Sequence, residues 1–343
     1  MRFPEFTDEW TETNIGSILS IGNGKDYKDL GDGNIPVFGT GGYMTSVKDY
    51  LMDGESVFIG RKGTINKPSY YKGKFWTVDT LFYTHEFIGA VPRFVLYLFE
   101  NIDWLKYNEA SGVPSLSKST IEKIKINIPK TIEQKKISAF ISLLDRRIEV
   151  QSGLINKLES LIGGIGQRVF SQFNSFVKLG NVAKITNGNS DVQDAIEIYE
   201  SGLYPFYDRS DVIKYLNTYY LDKEAIIYAG EGSEFFPRYH NGKFALHQRC
   251  YAIFDFKEEY LTKFIYYYMF TLNGYFVRNS VGSTVPSLRM GTFEKVNIPK
   301  VPVKQQLYII KVFDCLHKKL HQAKQTKRLF EMQKQYLLQQ MFI

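Results

Sequence analysis

The chain has 343 residues, 44% hydrophobic and 23% charged, a composition that excludes a disordered or collagen-like protein. Its length favours two domains. The 43 Lys and Arg residues exceed the 36 Asp and Glu residues, and this net charge of +7 favours an anionic partner such as nucleic acid. The two cysteines, Cys250 and Cys315, exclude a four-cysteine zinc site or a disulfide framework and indicate a reducing cytoplasm.

The first residues, Met1–Phe6, are charged and interrupted by proline, so we expect no signal peptide. No apolar run approaches the ~18 residues that a membrane-spanning helix needs. The sequence therefore predicts a cytoplasmic protein without a membrane segment.

Short motifs occur twice along the chain and keep their order. Val113–Leu116 recurs as Val285–Leu288, and Asn127–Lys130 recurs as Asn297–Lys300. The pair Asn23-Gly24 is similarly matched by Asn187-Gly188. An ordered set of matches indicates an internal repeat of one structural unit.

Each repeat begins with aromatic and β-branched runs between Gly, Asn and Asp turns, which is typical of β-strands. Two longer apolar segments have helical length. The predicted strands are Ser56–Gly60, Trp76–Tyr83, Ala225–Ala229 and Gln248–Phe254, and the predicted helices are Pro92–Asn101 and Glu259–Phe270. Residues 1–130 and 176–300 are therefore predicted to be two α+β domains.

Residues 131–175 and 301–343 carry apolar residues at alternating spacings of three and four, which is typical of coiled-coil helices. We expect a long antiparallel helix pair, roughly 60 Å in length, to separate the two domains. The alternative is that each helix caps its own domain. Lys327 and Lys334 interrupt the second helix's seam. The predicted seam residues are Ile137, Ile141, Leu144, Ile148, Ile155, Leu158, Ile309, Phe313, Leu316 and Leu320.

The sequence carries no established catalytic motif: the phosphate-binding GxxxxGK[ST] loop, the HExxH zinc motif, CxxC pairs and the GxSxG elbow are all absent. His317 and His321 are four apart on a predicted helix, but two ligands make a weak metal site. We therefore predict no catalytic residue, no metal and no cofactor for this chain.

Polar and basic residues cluster after the predicted strands of both repeats. Arg and Lys bind guanine edges or phosphates, and Asn pairs with adenine. The two copies keep the position of these residues but change their identity, as expected for two domains that read different DNA targets. The predicted DNA-binding residues are Arg61, Lys62, Thr64, Asn66, Lys67, Lys72, Ser115, Lys118, Arg209, Arg238, Tyr239, His240, Lys243, Ser287 and Arg289.

Taken together, these features resemble the specificity subunit of type I DNA restriction–modification systems. The resemblance covers the whole chain, and no single motif decides it. It depends on Phe3–Phe6 with Trp10, Phe58–Gly63, Phe75–Thr80, Val113–Ser117, Ile126–Pro129 and Glu133–Ile137. The second repeat departs from the pattern, because Ala245 matches Trp76 and Gln305-Gln306 matches Glu133-Gln134.

The resemblance implies two target-recognition domains, each reading one half of a bipartite site in double-stranded DNA. It also implies helices that set the gap between the halves and dock two methyltransferase subunits. Methyl transfer from S-adenosylmethionine and ATP-driven cleavage would belong to the modification and restriction subunits, so this chain would be a non-catalytic subunit. The alternatives are a stand-alone DNA-binding regulator and a protein–protein scaffold.

Overall fold

The computed structural model describes residues 1–342 and divides the chain into two compact units. Unit 1 comprises Met1–Ser152 together with the chain from Gln325 onward, and unit 2 comprises Gly153–Lys324. Both units combine β-sheets with helices, which confirms the predicted α+β class. The segments 131–175 and 301–343 are each shared between the two units.

Unit 1 contains a six-stranded sheet and a two-stranded sheet. The strand order of the larger sheet is β2-β7-β5-β6-β3-β4, in which only β3 and β6 pair in parallel, and β1 pairs with β8. The elements are β1 (Thr11–Asn14), α1 (Ile15–Ile18), β2 (Ser20–Asn23), β3 (Asp32–Gly39), β4 (Gly42–Val47), β5 (Met52–Gly60), β6 (Ser69–Thr77), β7 (Leu81–His85), α2 (Pro92–Asn101), α3 (Lys118–Glu122), β8 (Lys125–Ile128) and α4 (Thr131–Phe170), which continues into unit 2.

Unit 2 repeats this topology. Its larger sheet has the order β10-β15-β13-β14-β11-β12, with one parallel pair, β11 and β14, and β16 pairs with β9. The elements are β9 (Phe176–Lys178), β10 (Lys184–Asn187), β11 (Tyr204–Tyr207), β12 (Lys214–Leu216), β13 (Leu221–Ala229), β14 (Arg238–Leu246), β15 (Cys250–Phe254), α5 (Thr262–Phe270), α6 (Asn273–Arg278), α7 (Met290–Glu294), β16 (Asn297–Pro299) and α8 (Val303–Met341), which continues into unit 1.

The apolar run in β5 is explained by burial on both faces of the sheet. Val57 and Ile59 belong to the core cluster on the side of α2, whereas Phe58 packs with Phe75 and Leu81 on the opposite face. Successive side chains of a strand point to opposite faces, so a strand covered on both sides is apolar throughout. The matching strand β13 divides its side chains between two clusters in the same way.

Two predicted strands are wrong in their bounds because each includes a turn. Trp76–Tyr83 contains the end of β6, a turn at 78–80 and the start of β7. Gln248–Phe254 likewise begins in the turn before β15. The repeated Asn-Gly pair packs close to the first of these turns and to its counterpart: a Cβ added at Gly24 would lie 1.9 Å from the Val78 carbonyl oxygen, and one at Gly188 would lie 2.0 Å from the Leu246 carbonyl oxygen.

Within each unit, α4 and α8 run antiparallel. The contacts that show this are Asp145 with Lys334 and Arg147 with Phe330 in unit 1, and Glu159 with Lys324 and Phe170 with Phe313 in unit 2. Among the predicted seam positions, Ile148, Leu158, Leu316 and Leu320 are half-buried and the others are buried. Ile141 and Phe313 also belong to the clusters that contain the domain cores. The helices therefore contact each other and also cap their domains.

A buried glutamine attaches α4 to the domain of unit 1. The Gln134 side chain is 0% exposed, and its Oε1 accepts a 2.8 Å hydrogen bond from the Val91 amide. Its Nε2 donates to the Gly89 and Pro129 carbonyl oxygens at 2.9 and 2.8 Å. One side chain thus satisfies three backbone groups where α2 and α4 begin.

Gln306 makes the same set of bonds in unit 2. Its side chain is also 0% exposed, and Oε1 accepts from the Leu261 amide at 2.9 Å. Its Nε2 donates to the carbonyl oxygens of Glu259 and Val301, both at 2.7 Å. The two long helices are therefore anchored to their domains by the same device.

A second anchor differs between the units. In unit 1, Tyr97 donates a 2.6 Å hydrogen bond to Asp145, and the Lys334 ammonium lies 2.7 Å from both Asp145 and Glu100. Burial disfavours the charge of Lys334, but hydrogen bonds to the two carboxylates raise its pKa. The lysine that interrupts the predicted seam is therefore the centre of a half-buried ion cluster.

In unit 2, Tyr267 donates a 2.5 Å hydrogen bond to Asp314, as Tyr97 does to Asp145 in unit 1. The lysine of this anchor comes from α5 instead of the opposite long helix: Lys263 lies 3.1 Å from Asp314. This pair is more exposed than the Lys334 cluster.

Candidate nucleic-acid interface

Three chain segments of unit 1 meet where strand β5 of the larger sheet ends and strand β7 begins. We call them the unit 1 frame: residues 61–63 after β5, residues 78–80 in the turn between β6 and β7, and residues 114–116 before α3. The three segments lie in loops, yet backbone hydrogen bonds link them to one another. Loops fixed on a rigid sheet are a common location for binding residues.

Backbone hydrogen bonds hold the unit 1 frame together. The Arg61 amide donates to the Thr80 carbonyl oxygen at 2.8 Å, and the Arg61 carbonyl oxygen accepts from Leu116 at 2.9 Å. The Gly63 amide donates to the Pro114 carbonyl oxygen at 2.8 Å. Gly63 has φ of 93°, a conformation that glycine adopts without strain.

The unit 1 frame opens into a cleft of about 550 Å³ whose cations are exposed. Lys62 forms a β-bridge with Ser115, which directs both residues to this place. The Arg61 guanidinium lies 5.9 Å from the centre of the Phe82 ring, and its Nη1 donates to the Asp79 carbonyl oxygen at 3.4 Å. The cleft is lined by Asn23, Arg61, Lys62, Asp79, Thr80, Phe82, Glu109, Ser115, Leu116, Ser117 and Lys118.

One carboxylate fixes the wall of this cleft beside α3. Glu109 accepts hydrogen bonds from the hydroxyls of Thr120 and Ser117, the second at 2.8 Å, and these bonds lower the pKa of Glu109. Ser117 also caps α3 by accepting from the Thr120 amide. Glu109 therefore stays ionised beside the three cations, where it limits the positive charge of the cleft.

Unit 2 contains the same frame with different side chains. The unit 2 frame consists of residues 230–232, 247–249 and 286–288. The Gly230 amide donates to the Arg249 carbonyl oxygen at 2.9 Å, and the Gly230 carbonyl oxygen accepts from Leu288 at 2.7 Å. The Gly232 amide donates to the Pro286 carbonyl oxygen at 3.0 Å, so all three backbone links of unit 1 recur.

The unit 2 frame opens into a cleft of about 430 Å³ with a different arrangement of charge. Glu231 replaces Lys62, as its bridge to Ser287 shows, and Gly230 replaces Arg61. The Arg249 guanidinium lies 2.9 Å from Glu231. The cleft is lined by Asp191, Val192, Asp208, Arg209, Ser210, Lys214, Glu231, His247, Gln248, Arg249 and Cys250.

Comparison with known proteins identifies the family. The sequence model described as "Type I restriction modification DNA specificity domain" matches residues 7–160 and again residues 173–329. The chain belongs to this family. Each match contains one complete frame, so the repeated frame is a feature of two specificity domains.

A curated relative from the same family agrees with this result. The EcoDI specificity subunit of Escherichia coli is 29% identical over 155 residues, which are 45% of this chain and 33% of that protein. The match therefore spans only about a third of the curated relative's length.

Solved structures show the same fold. The S subunit of a type I restriction–modification system from M. genitalium superimposes with a TM-score of 0.72 at 16% identity and covers 100% of this chain and 99% of its own. A chain from a structure describing the assembly and conformational transition of the type I R-M system has a TM-score of 0.53 at 13% identity, over 98% of both chains.

The first specificity domain brings only some of its predicted DNA-binding residues together. Arg61, Lys62, Ser115 and Lys118 line the cleft. The others do not line it, although most are exposed: Thr64, Asn66 and Lys67 lie between β5 and β6, and Lys72 lies on β6, 3.6 Å from Glu55.

In the second specificity domain, the run that begins at Arg238 belongs to strand β14 and not to a loop. The Arg238 guanidinium lies 5.7 Å from the Tyr207 ring and donates to the Asp208 carbonyl oxygen at 2.8 Å. His240 Nδ1 and the Tyr207 hydroxyl share a 3.0 Å hydrogen bond, and burial lowers the pKa of His240. These side chains contribute to the internal packing of the domain.

The neighbouring positions of β14 are also engaged. Tyr239 donates a 2.5 Å hydrogen bond to Glu224, and burial together with this bond raises the pKa of Tyr239. The Lys243 ammonium lies 4.7 Å from the centre of the Tyr219 ring. Arg209 lines the cleft, Ser287 lies within the frame, and Arg289 is exposed directly after it.

Sequence reasoning missed Arg249, because the residue was included in a predicted strand. Gln134 and Gln306 were also missed as structural residues, although their matched positions in the two repeats were a usable signal. Within residues 1–342, no group of three or more His, Cys, Asp and Glu side chains is arranged to hold a metal ion. In the same described part of the chain, no helix is long and apolar enough to cross a membrane.

Proposed function

We propose that the chain is the DNA sequence-specificity subunit of a type I restriction–modification complex. Each specificity domain reads one half of a bipartite site in double-stranded DNA. The observation that carries this proposal is the duplicated frame, in which one backbone presents two different sets of side chains. The major groove displays a distinct donor and acceptor pattern for each base pair, so different side chains select different sequences.

In this proposal, residues 1–130 and 176–300 read the DNA, and residues 131–175 and 301–343 set the gap and dock partners. Chemistry belongs to those partners: two methyltransferase subunits that use S-adenosylmethionine, and restriction subunits that use ATP. The chain itself is a non-catalytic subunit of a cytoplasmic complex and holds no cofactor.

An exposed apolar stripe on α8 supports the docking of partner subunits. Leu329, Met332 and Tyr336 are exposed, and their spacing of three and four residues places them on one face of the helix. An apolar helix face is suited to packing against helices of another chain.

Sequencing of methylated DNA tests whether each specificity domain recognises one half-site. The full chain is co-expressed with a type I adenine methyltransferase subunit, and methylated bases in the genome are mapped. We expect a bipartite motif with a fixed gap, and Arg61→Ala should change one half only. Changes in both halves, or none, would contradict the proposed role of the unit 1 frame.

Deletion of helix turns tests the spacer role. Removing seven residues from α4 at 149–155, with a matching deletion from α8 at 322–328, shortens the helix pair by about 10 Å, or about three base pairs of DNA. Both half-sites should persist while the gap decreases. An unchanged gap would refute the spacer role.

Co-purification separates this proposal from a stand-alone regulator or a scaffold. The chain should bind the methyltransferase subunit, and Met332→Asp should weaken that binding because it places a charge in the apolar stripe. Asn156→Asp, which adds a charge at an exposed position of α4 outside the stripe, is the control. Failure of the wild-type chain to co-purify with the methyltransferase subunit would contradict the proposed function.

A further inference from the structure

We propose that Arg249 reads a guanine in the half-site of the second specificity domain, with Glu231 holding its guanidinium in place. This inference rests on the proposed function, because it names the base class that the unit 2 frame selects. Arg238, one of the predicted DNA-binding residues of this domain, is less suited to this role because its guanidinium donates to the Asp208 carbonyl oxygen and lies beside the Tyr207 ring.

The backbone of Arg249 is fixed on both sides. Its carbonyl oxygen accepts from the Gly230 amide at 2.9 Å, and its amide donates to His247 Nδ1 at 3.1 Å. The residue therefore occupies a tight turn at the end of β14, not a mobile loop. A pre-organised side chain loses less conformational entropy when it binds a base.

Of the three guanidinium nitrogens of Arg249, only Nη1 is hydrogen-bonded within residues 1–342. Nη1 donates to both carboxylate oxygens of Glu231, at 2.9 and 3.2 Å, yet the Arg249 side chain remains 65% exposed. Across residues 1–342, no acceptor is bonded to Nε or Nη2. An exposed ion pair adds little to folding stability, so stability alone does not account for this arrangement.

The free edge of the guanidinium matches one base in particular. Nε and Nη2 present two parallel N–H donors, and guanine carries two adjacent acceptors, O6 and N7, on its major-groove edge. Arg249 is one of three cations that line the unit 2 cleft, together with Arg209 and Lys214, and it lies on a different segment of the frame from Arg61 and Lys62 in unit 1.

The carboxylate of Glu231 favours a base over a phosphate as the ligand of Arg249. A phosphate approaching the guanidinium would meet the negative charge of Glu231, about 3 Å away from the same group. The edge of a guanine is uncharged and meets no such repulsion. The Glu–Arg pair therefore selects against non-specific backbone contacts at this position.

The experiment uses the full chain in complex with its methyltransferase subunits and compares methylation of a library of DNA duplexes. Arg249→Met keeps most of the length of the side chain and removes both donors of the fork. We expect this variant to lose discrimination for guanine at one position of one half-site by about 10-fold. Methylation of duplexes should otherwise persist, and the half-site read by unit 1 should not change.

Replacement of the guanine by 7-deazaguanine removes the N7 acceptor alone. The wild-type complex should methylate the modified duplex about 10-fold more slowly, whereas Arg249→Ala should treat both duplexes alike. Lys257→Ala, an exposed lysine outside both clefts, is the charge-matched control and should behave as wild type.

The outcomes separate this assignment from the proposed function. If Arg249→Met retains the guanine requirement, or if Arg249→Ala weakens methylation of all sequences equally, Arg249 does not read a base. A bipartite motif without guanine in the second half overturns the assignment alone. A wild-type complex that methylates no bipartite motif overturns the proposed function and this assignment together.

Discussion

The two frames have the same backbone and opposite charge arrangements. In unit 1 the segment after β5 carries Arg61 and Lys62, whereas in unit 2 the same segment carries Gly230 and Glu231, and the frame's arginine, Arg249, lies in the neighbouring turn. The three hydrogen bonds that link the segments of each frame join backbone groups, so these links do not depend on the identity of the side chains. Sequence can therefore vary at these positions without altering the scaffold that presents it.

The largest effect should come from the anchor that the two units share. Gln134→Ala leaves two carbonyl oxygens and one amide without partners in a buried place and should lower the free energy of unfolding of unit 1 by about 4 kcal/mol. Gln306→Ala should cost the same in unit 2. Urea unfolding of the full chain measures both, with the exposed Gln339→Ala as control. Unequal losses would show that the anchors are not equivalent.

The two lysine anchors should contribute unequally to the free energy of unfolding, whereas the two glutamine anchors should contribute equally. Lys334→Ala leaves Glu100 and Asp145 facing each other in a half-buried place, and we expect a loss of about 2–3 kcal/mol. Lys263→Ala removes an exposed pair and should cost roughly 0.5 kcal/mol. The same urea titration provides the comparison, and equal losses would contradict the difference in burial.

The pH dependence of the two units should have opposite signs, in two different ranges of pH. Burial raises the pKa of Glu100 although Lys334 opposes it, so its contribution to unit 1 is full below the ordinary Glu value and is lost as pH rises through the folded pKa. Hydrogen bonds from Lys223 and Lys184 lower the pKa of Asp255, so its contribution to unit 2 is lost as pH falls below the ordinary Asp value of about 3.9.

Variants that lack the Glu100 or Asp255 carboxylate test whether these groups cause the pH dependence of unfolding. Glu100→Gln should flatten the pH dependence of unfolding above about pH 4.5, and Asp255→Asn should flatten it below about pH 4. Thermal unfolding measured between pH 3 and pH 7 is sufficient. The interpretation fails if either variant retains the wild-type slope.

The smallest effect on stability should come from exchanging charge between the frames. Lys62→Glu and Glu231→Lys alter exposed or half-exposed side chains and should change the free energy of unfolding by about 0.5 kcal/mol or less. Each should nevertheless change the methylation motif in its own half-site. A stability loss well above this value would show that the backbone of the frame depends on its side chains.

The repeat, the α+β class and the paired helices were predictable because periodicity and motif order are recorded directly in the sequence. The role of Arg249 was not, since the predicted strand Gln248–Phe254 included the turn in which this residue lies. Lys334 was predicted as a defect of the seam because its partners, Glu100 and Asp145, are distant in sequence. Arg238 was expected in a loop, although its neighbours pair along β14.

The division of both long helices has a consequence for synthesis on the ribosome. Leu338, Met341 and Phe342 belong to the same core cluster as Ile15 and Phe94, so unit 1 begins at the start of the chain and is completed by α8. Unit 2 contains only residues from the middle of the chain, and all of them are synthesised before the last segment of unit 1. During translation, all residues of unit 2 are therefore made before those of unit 1 are complete, and the part of the unit 1 core that Leu338, Met341 and Phe342 cover stays open until the end of α8 is made.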